Sequence, residues 1–232
     1  MKTIAIIPAR GGSKAIPKKN LLEIASKPLI AWSIFAAKSS KSIDEVYVTS
    51  DSNEILDVAK LFGAKTILRP SEISGDTASS ESAISHAIEY LALSHTLPEV
   101  IVMLQATSPL RRKNDLDNAL QVFEMESLDS LFSSAKLLDF LIWEQNAAGS
   151  LQSVNYDWCN RGRRQERTPQ IVENGSFYIF KTKGFQEFGN RFFGKIGISN
   201  QEFWQSFELD EPEDIPLIKT LFSTYNIEKE FI

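Results

Sequence analysis

The residues best suited to chemistry lie in one loop near the start of the chain. Gly11 and Gly12 stand beside Arg10 and three lysines in the segment 9–20, directly after an apolar stretch. Glycines let backbone N–H groups approach an anion closely, and arginine and lysine neutralise it. The loop has neither the glycine spacing of a P-loop nor that of a dinucleotide fingerprint. It predicts a phosphate cradle, with a solvated basic turn as the alternative.

A second set of residues is acidic, with five carboxylates in the segment 207–214. If this segment is extended, side chains two residues apart face the same side, so Glu208 and Asp210 would converge. Mg²⁺ usually takes one or two carboxylates together with substrate phosphates, and these two residues are the candidate ligands. The alternative is an acidic turn before a helix. That alternative is our interpretation of Glu213 and Asp214, which complement the helix dipole.

A third set offers hydrogen-bond donors that suit a carboxylate or a phosphate: Arg163–Gln165 together with Asn174–Gly175. An exposed basic loop is the alternative interpretation. His86 and His95 form no Ser-His-Asp order or metal-ligand spacing, and Cys159 has no evident activating partner. Histidine or cysteine catalysis is therefore not indicated.

Alternating elements must position these residues. Short apolar runs predict buried strands, and segments with helical spacing follow them. The expected strands are 3–8, 45–49, 65–68 and 99–104, and the expected helices begin after N-cap residues at Ser26 and Ser50–Ser52 and span 79–93 and 114–125. This order predicts an α/β fold, a mostly parallel sheet with helices on both faces. Ligands bind such sheets beyond the carboxyl ends of the strands.

The regular alternation stops after residue 135, and a strand at 176–180 and a helix at 212–222 close the chain. The segment 137–173 has few helix signals, and long irregular segments are uncommon inside a compact domain. We expect residues 1–136 and 174–232 to form the core. The segment 137–173 is then a protruding extension that covers the site or a partner subunit.

Composition limits the class of protein. The 232 residues are 43% hydrophobic and 24% charged, with 25 Lys and Arg against 30 Asp and Glu. This is ordinary globular composition without the basic excess of a nucleic-acid binder. Cys159 is the only cysteine, so an intramolecular disulfide is impossible. We expect a cytoplasmic protein, with no apolar run long enough for a membrane span and no signal peptide.

Six ordered motifs resemble the CMP-sialic acid synthetases, the acylneuraminate cytidylyltransferases. They span nearly the whole chain, and together they are specific where any one would be weak. The motifs are Ala9–Lys14 with Lys19–Asn20, Val48–Asp51, Leu68–Pro70 with Asp76–Ser80, Leu104–Arg111, Arg164–Gln165, and Asn174–Ile179.

The resemblance implies a Rossmann-like nucleotidyltransferase fold, in which CTP and a nine-carbon 2-keto sugar acid give the CMP-sugar and pyrophosphate. It implies Mg²⁺ as cofactor, with Glu208 and Asp210 as its ligands. Family members commonly have Asp-x-Asp where this chain has Glu208-Leu209-Asp210, so Asp210 is the safer assignment. The implied catalytic residues are Arg10, Lys19 and Asp210. The implied CTP-binding residues are Arg10, Gly11, Gly12, Ser13, Lys14, Lys19, Asn20, Arg69 and Ser80.

The resemblance also implies a homodimer, in which a protruding segment of each subunit reaches over the partner's site. The implied sugar-binding residues are Gln105, Arg164, Gln165, Asn174, Tyr178, Phe192 and Phe193, the last two lining the partner's pocket. No dedicated general base is evident, so we hypothesise a hydroxyl activated by the metal. The partners expected are CTP and the sugar acid, without nucleic acid or membrane.

Three alternatives remain open at this point. The same reaction could use legionaminate, pseudaminate or an eight-carbon keto sugar acid. A non-catalytic nucleotide-binding homologue would lack a phosphate or metal ligand, and only Glu208 departs from the family pattern. A nicotinamide oxidoreductase on a similar sheet would need fingerprint glycines that this chain lacks.

Overall fold

The computed structural model describes residues 2–75, 78–93, 97–137, 140–167 and 169–232, except for the side chain of Arg164. Most of the described chain folds around one sheet. The strands are β1 (Thr3–Pro8), β2 (Glu23–Ile24), β3 (Lys27–Pro28), β4 (Glu45–Ser50), β5 (Lys65–Leu68), β6 (Val100–Leu104), β7 (Ser130–Leu137), β8 (Trp143–Gln145), β9 (Leu151–Ser153), β10 (Gln170–Lys181) and β11 (Ile196–Gln201). The helices are α1 (Leu29–Ser39), α2 (Asn53–Leu61), α3 (Ser80–Leu93), α4 (Asp115–Met125), α5 (Thr182–Phe188), α6 (Asp214–Thr224) and α7 (Glu228–Phe231).

The main sheet has seven strands in the order β11-β7-β10-β6-β1-β4-β5. Strand β1 pairs in parallel with both β4 and β6, and β5 continues the parallel half beside β4. Strand β10 runs antiparallel to both of its neighbours, β6 and β7. The predicted α/β fold with a mostly parallel sheet is therefore confirmed. After β1 the chain adds β4 and β5 on one side and then places β6 on the other side, so the strand order reverses between β1 and β6. Such a switch point is where sheets of this kind bind ligands.

Both faces of the sheet are buried, which is why its central strands are almost wholly apolar. Ala5 and Ile7 of β1 belong to a core that also holds residues of α1, α2 and α4. Ile4 and Ile6 point to the other face and pack in a core with α3 and α5. Successive side chains of a strand face opposite sides, so one apolar strand serves two helix layers.

The predicted strands and helices in the first half of the chain are confirmed, with most of their ends within about two residues. One detail is wrong. Ser26 is not the N-cap of α1, because it has φ +62° in the turn between β2 and β3. The helix begins at Leu29, with Pro28 at the N-cap position. The tight turn needs a left-handed residue, and this need outweighs the capping preference of serine.

The segment 137–173 contains more order than its sequence predicts. A small two-stranded sheet, β8 with β9, lies within it. The strand predicted at 176–180 extends back to Gln170 as part of the twelve-residue strand β10, which pairs with β7 after a register shift. Strand β10 therefore crosses the boundary expected at residue 174. The separation of this segment from the core stays a prediction.

A buried arginine connects the parallel half of the sheet with β10. Arg111 is 0% exposed, and its Nη1 donates to Ser33 Oγ of α1 at 2.9 Å. Its Nη2 donates to the carbonyl of Gln105, at 2.8 Å, and to the carbonyl of Ser176 in β10. Burial lowers the pKa of Arg111 to about 9, so the side chain remains a cation at neutral pH. One guanidinium thus joins α1, the loop after β6 and β10.

Replacing Arg111 with methionine should lower the free energy of unfolding by about 3 kcal/mol, because Ser33, Gln105 and Ser176 lose their buried donor. Urea unfolding followed by circular dichroism measures this change. Lys113→Met is the matched control, since Lys113 is exposed, and it should change stability by less than about 0.5 kcal/mol. Equal effects of the two variants would contradict the proposed connection.

Candidate functional site

A cleft of about 330 Å³ opens beyond the carboxyl ends of β1 and β6. Its walls come from the loops after these two strands, from the segment after β5 and from the start of α3. The described lining residues are Pro8, Ala9, Arg10, Ser13, Lys19, Asn20, Arg69, Ser74, Ala78, Ser79, Ser80, Met103, Gln105, Ala106 and Thr107. Chain segments far apart in sequence therefore meet at the switch point of the sheet.

The glycine-rich loop is fastened to the loop after β4. The backbone N–H of Gly11 donates to Asp51 Oδ1 at 2.8 Å. A Cβ atom added to Gly11 would lie 2.9 Å from the Cβ of Ser52, which explains the glycine at this position. Within the loop, the buried Asn20 donates from Nδ2 to the carbonyl of Arg10 at 3.0 Å. These contacts hold the loop in one shape before any ligand arrives.

Three cations line the cleft, two from the glycine-rich loop and one from the segment after β5. Arg10 Nη1 donates to the carbonyl of Gly75 at 3.3 Å. Arg69 is 6% exposed and donates from Nε to Ser74 Oγ at 2.9 Å. Burial lowers the pKa of Arg69, the charge of Arg10 lowers it further, and a nearby carboxylate opposes both. Lys19 of the glycine-rich loop also lines the cleft, so like charges gather here, and such an arrangement suits a multiply charged anion.

An ion pair joins the glycine-rich loop to the acidic segment. Lys19 Nζ lies 2.8 Å from Asp210 Oδ1, and the lysine side chain is 14% exposed while that of Asp210 is 57% exposed. Two of the predicted site residues are therefore in direct contact across 191 positions of sequence. The exposed carboxylate keeps its second oxygen open to solvent and to a cation.

Glu208 lies closer to the sheet than Asp210. Its Oε2 accepts from Gln105 Nε2 at 3.4 Å and from Thr107 Oγ1 at 3.3 Å. Burial raises the pKa of Glu208, and the charge of Asp210 raises it further. The charges of the two carboxylates therefore interact. Among the described residues, no three His, Cys, Asp or Glu side chains form a metal-binding group.

The predicted sugar-binding residues are spread along β10 and beyond. Gln105 lines the cleft. Tyr178 is 4% exposed and donates from its hydroxyl to Glu173 at 2.5 Å. The guanidinium of Arg191 lies 4.4 Å from the centre of the Tyr178 ring, and Phe192 meets the same ring edge-on at 5.9 Å. Burial raises the pKa of Tyr178, and its bond to Glu173 raises it further, so the phenol stays neutral.

The other members of that set lie further apart. Asn174 donates from Nδ2 to Gln201 Oε1 at 2.8 Å, and Phe193 stacks on Phe188 at 5.6 Å. Gln165 is exposed in a 3-10 turn and lines a separate cavity of about 1000 Å³. The side chain of Arg164 lies outside the described residues, as do residues 76 and 77. The structure thus groups most of the predicted nucleotide residues but not the predicted sugar residues.

The nucleotide set also has exceptions. Gly11, Gly12 and Lys14 are not among the described residues that line the cleft, and Gly12 and Lys14 are exposed. The remaining members of the set line the cleft: Arg10, Ser13, Lys19, Asn20, Arg69 and Ser80.

Sequence reasoning missed two kinds of residue. Asp51 was interpreted as an N-cap residue of α2, but Ser52 occupies that position without a side-chain cap bond, and Asp51 holds the glycine-rich loop instead. Arg191 pairs with Glu81 at the start of α3, at 2.7 Å, and carries no motif of its own. The acidic residue directly after a strand end was the usable signal for Asp51. No comparable signal marks Arg191.

Comparison with known proteins adds independent findings. The chain matches the family described as "Cytidylyltransferase" over residues 4–221. An N-acylneuraminate cytidylyltransferase of Oncorhynchus mykiss is 41% identical over 178 residues, which are 76% of this chain and 40% of the fish protein. A pseudaminic acid cytidylyltransferase of Campylobacter jejuni (strain 81-176) is 36% identical over 193 residues, which are 81% of this chain and 82% of that protein.

An Escherichia coli N-acylneuraminate cytidylyltransferase is 31% identical over 234 residues, covering 98% of this chain and 54% of the bacterial protein. The chain therefore spans about half the length, or less, of the two N-acylneuraminate relatives. No helix in the described ranges is long and apolar enough to cross a membrane.

Solved structures agree on the fold. A CMP:2-keto-3-deoxy-manno-octonic acid synthetase complexed with CTP has a TM-score of 0.73 at 18% identity, covering 97% of this chain and 100% of that chain. A 4-diphosphocytidyl-2C-methyl-D-erythritol synthase has a TM-score of 0.68 at 13% identity, covering 95% and 99%. At these identities the likeness shows a shared fold.

The two glycines of the loop should respond differently to substitution. Gly11→Ala forces a Cβ against Ser52 and should lower the free energy of unfolding by about 1–2 kcal/mol. Gly12→Ala meets no atom within 4 Å and should change it by less than about 0.5 kcal/mol. Chemical denaturation of both variants measures the difference. A neutral Gly11→Ala would contradict the close approach of the two loops.

Proposed function

The chain belongs to the cytidylyltransferase family, and from this we propose that it transfers a cytidylyl group from CTP to a nine-carbon 2-keto sugar acid of the sialic acid type. The products are the CMP-sugar and pyrophosphate. The observation that carries the proposal is the cleft at the strand switch point, where Arg10 and Lys19 of the glycine-rich loop meet Arg69 of the segment after β5. A triphosphate is the small anion whose charge fits this arrangement.

Each wall of the cleft has a proposed part in binding. Arg10, Ser13 and Lys19 would hold the triphosphate with their charges and donors, while Asn20 keeps the loop closed around it. Arg69 lies directly after β5 and Ser80 begins α3, and these two residues would bind the nucleoside. The buried guanidinium of Arg69 is restrained by Ser74, so little side-chain entropy is lost when it binds.

Mg²⁺ is the proposed metal, and Asp210 is the residue best suited to hold it. Its carboxylate is exposed, and Lys19 holds one of its oxygens. Hard carboxylate oxygens, with phosphate oxygens as further ligands, are the donors that Mg²⁺ prefers. When bound, the metal would neutralise phosphate charge and lower the pKa of the attacking hydroxyl. Glu208 is the second candidate, although its Oε2 already accepts two hydrogen bonds.

The reaction would proceed by positioning and charge neutralisation. The anomeric oxygen of the sugar acid forms a bond to the α-phosphorus. The bond from that phosphorus to the bridging oxygen breaks, and pyrophosphate leaves with the electron pair, while solvent takes the hydroxyl proton. The described cleft lining has no His, Asp or Glu that could act as a general base. The work of the protein is therefore to align the two reactants and to hold the leaving group with Arg10 and Lys19.

The comparisons name more than one sugar acid. Relatives named for N-acylneuraminate and for pseudaminate share comparable identity with this chain. Pseudaminate therefore remains the second candidate substrate. Legionaminate and the eight-carbon acid are further candidate substrates, because all these acids share a 2-keto carboxylate with an anomeric hydroxyl.

We propose a homodimer that acts in the cytoplasm. The support for a dimer is the exposed aromatic surface of the segment 140–158, where Phe140, Trp143 and Trp158 are 54%, 43% and 62% exposed. Apolar side chains at that density on one segment are typical of an interface. Sedimentation of the purified chain would test the oligomeric state.

One testable prediction concerns the reaction itself. With CTP and Mg²⁺, the protein should release pyrophosphate in the presence of one nine-carbon acid from a panel of sialic, legionaminic, pseudaminic and eight-carbon acids. A coupled phosphate assay measures this, with CTP alone as the control. If none of these acids gives pyrophosphate release although CTP binding is measurable, the result contradicts the proposal and favours a non-catalytic nucleotide-binding protein.

Another testable prediction concerns the metal. Asp210→Asn should lower turnover by at least about 100-fold, because the leaving group and hydroxyl lose the charge that the metal supplies. Glu213→Gln is the control, since Glu213 is exposed in the same segment, and it should keep turnover within about twofold. Full turnover of Asp210→Asn at saturating Mg²⁺ would rule out the assigned metal ligand.

A further inference from the structure

Glu208 occupies a niche that a glycine creates. Gly175 has φ +68°, and a Cβ built there would lie 2.0 Å from Glu208 Oε1. The chain around Glu208 is also fastened, because the N–H of the fully buried Leu209 donates to the carbonyl of Thr107 at 2.8 Å. The carboxylate is therefore directed toward the loop after β6, into space that any side chain at position 175 would fill.

The backbone of Gln105 is held independently of Glu208. Its carbonyl accepts from Arg111 at 2.8 Å and from Ser33 at 3.2 Å, and its N–H donates to Ser176 at 3.2 Å. Only the side-chain torsions of Gln105 remain to be set. Glu208 is the described residue to which Gln105 Nε2 donates, and no described residue donates to Gln105 Oε1.

We propose that Glu208 is a positioning residue, which takes the amide nitrogen of Gln105 and leaves Oε1 as the hydrogen-bond acceptor offered to the sugar acid. This inference rests on the proposed function and assigns Glu208 a role other than metal ligation. An amide side chain can present either a donor or an acceptor to a ligand. A carboxylate beside it decides the orientation, because it can accept from the nitrogen and would repel the oxygen.

The choice of acceptor limits the substrate group that Gln105 can recognise. An exposed amide oxygen accepts from a hydroxyl or an amide N–H of the sugar acid. It repels the carboxylate of that acid, which must then bind at another position. The metal remains with Asp210, whose carboxylate is exposed. The two acidic residues of the segment therefore serve different partners.

Side-chain length explains why glutamate suits this role. Aspartate at 208 is one methylene shorter, so its carboxylate would retreat from Gln105 and from the niche beside Gly175. Glutamine at 208 keeps the length, and its Oε1 can still accept from Gln105 Nε2 and Thr107 Oγ1. A metal ligand has the opposite requirement, since it tolerates the shorter anion better than the neutral amide.

Two substitutions therefore separate the two roles. Glu208→Asp should raise the KM for the sugar acid by about tenfold, with the KM for CTP and the Mg²⁺ concentration for half activity changed less than about twofold. Glu208→Gln should raise the KM for the sugar acid less, by about threefold, because it can still accept from Gln105 Nε2 but no longer repels Gln105 Oε1, and it should change the other two values less than about twofold. Glu211→Asp and Glu211→Gln are the matched controls, because Glu211 is exposed in the same segment.

Two readouts do not depend on turnover. The side-chain ¹⁵N–¹H₂ signals of Gln105, assigned by their loss in Gln105→Asn, should shift in Glu208→Asp and shift less in Glu208→Gln. Titration with Mn²⁺ and CTP by calorimetry should give the same affinities for wild type and both variants. Failure of the proposed function, with no pyrophosphate released by wild type, thus leaves the contact between Glu208 and Gln105 testable.

The opposite pattern would overturn the inference. If Glu208→Gln weakens Mn²⁺ binding more than tenfold while Glu208→Asp retains it, Glu208 is a metal ligand. If neither variant moves the Gln105 signals, Glu208 does not hold this side chain. If the signals move as expected but the KM for the sugar acid does not, the contact is structural and Gln105 does not meet the substrate.

Discussion

The buried charge of Arg111 is the constraint on which the site depends. Its guanidinium donates to α1, to the loop after β6 and to β10, three segments that share no other charged connection of comparable burial among the described residues. A cation removed from water in this way is costly unless its donors are used. Here Nη1 and Nη2 of Arg111 both donate, while the buried Nε has no partner among the described residues. The surrounding carbonyls therefore keep their places. As a result, Gln105 and Gly175 lie close enough together for the Glu208 carboxylate to contact both.

A site made of loops can recognise a ligand only if those loops are already ordered. Here the ordering contacts are pairwise hydrogen bonds between residues in or beside the cleft lining: Gly11 with Asp51, Asn20 with Arg10, and Arg69 with Ser74. Each reduces the entropy lost on binding. The same contacts hold like charges near one another. An anion that enters the cleft relieves the repulsion between these like charges, and this relief favours the bound state.

The sequence predicted the parallel half of the sheet because β1 and β6 are apolar on both faces. It did not predict β7, where three of eight residues are serines that are fully buried. Ser133 accepts from the N–H of Phe177 at 2.9 Å, and Ser130 donates to the carbonyl of Phe193 at 2.9 Å. Such partners come from distant segments, so local hydropathy does not reveal them. Asp51 was misinterpreted for the same reason, since its partner Gly11 lies 40 residues away.

The two halves of the proposed reaction differ in how far sequence can describe them. A triphosphate is recognised by charge, and clustered Arg, Lys and Gly leave a visible pattern. A sugar is recognised by the direction of neutral hydrogen bonds, which depends on amide orientation and on which side chains a fold brings together. Gln105 acquires its orientation from Glu208, 103 positions later. Relatives of this chain are named for different sugar acids, and the orientation of an amide such as that of Gln105 is a feature that can distinguish one sugar from another.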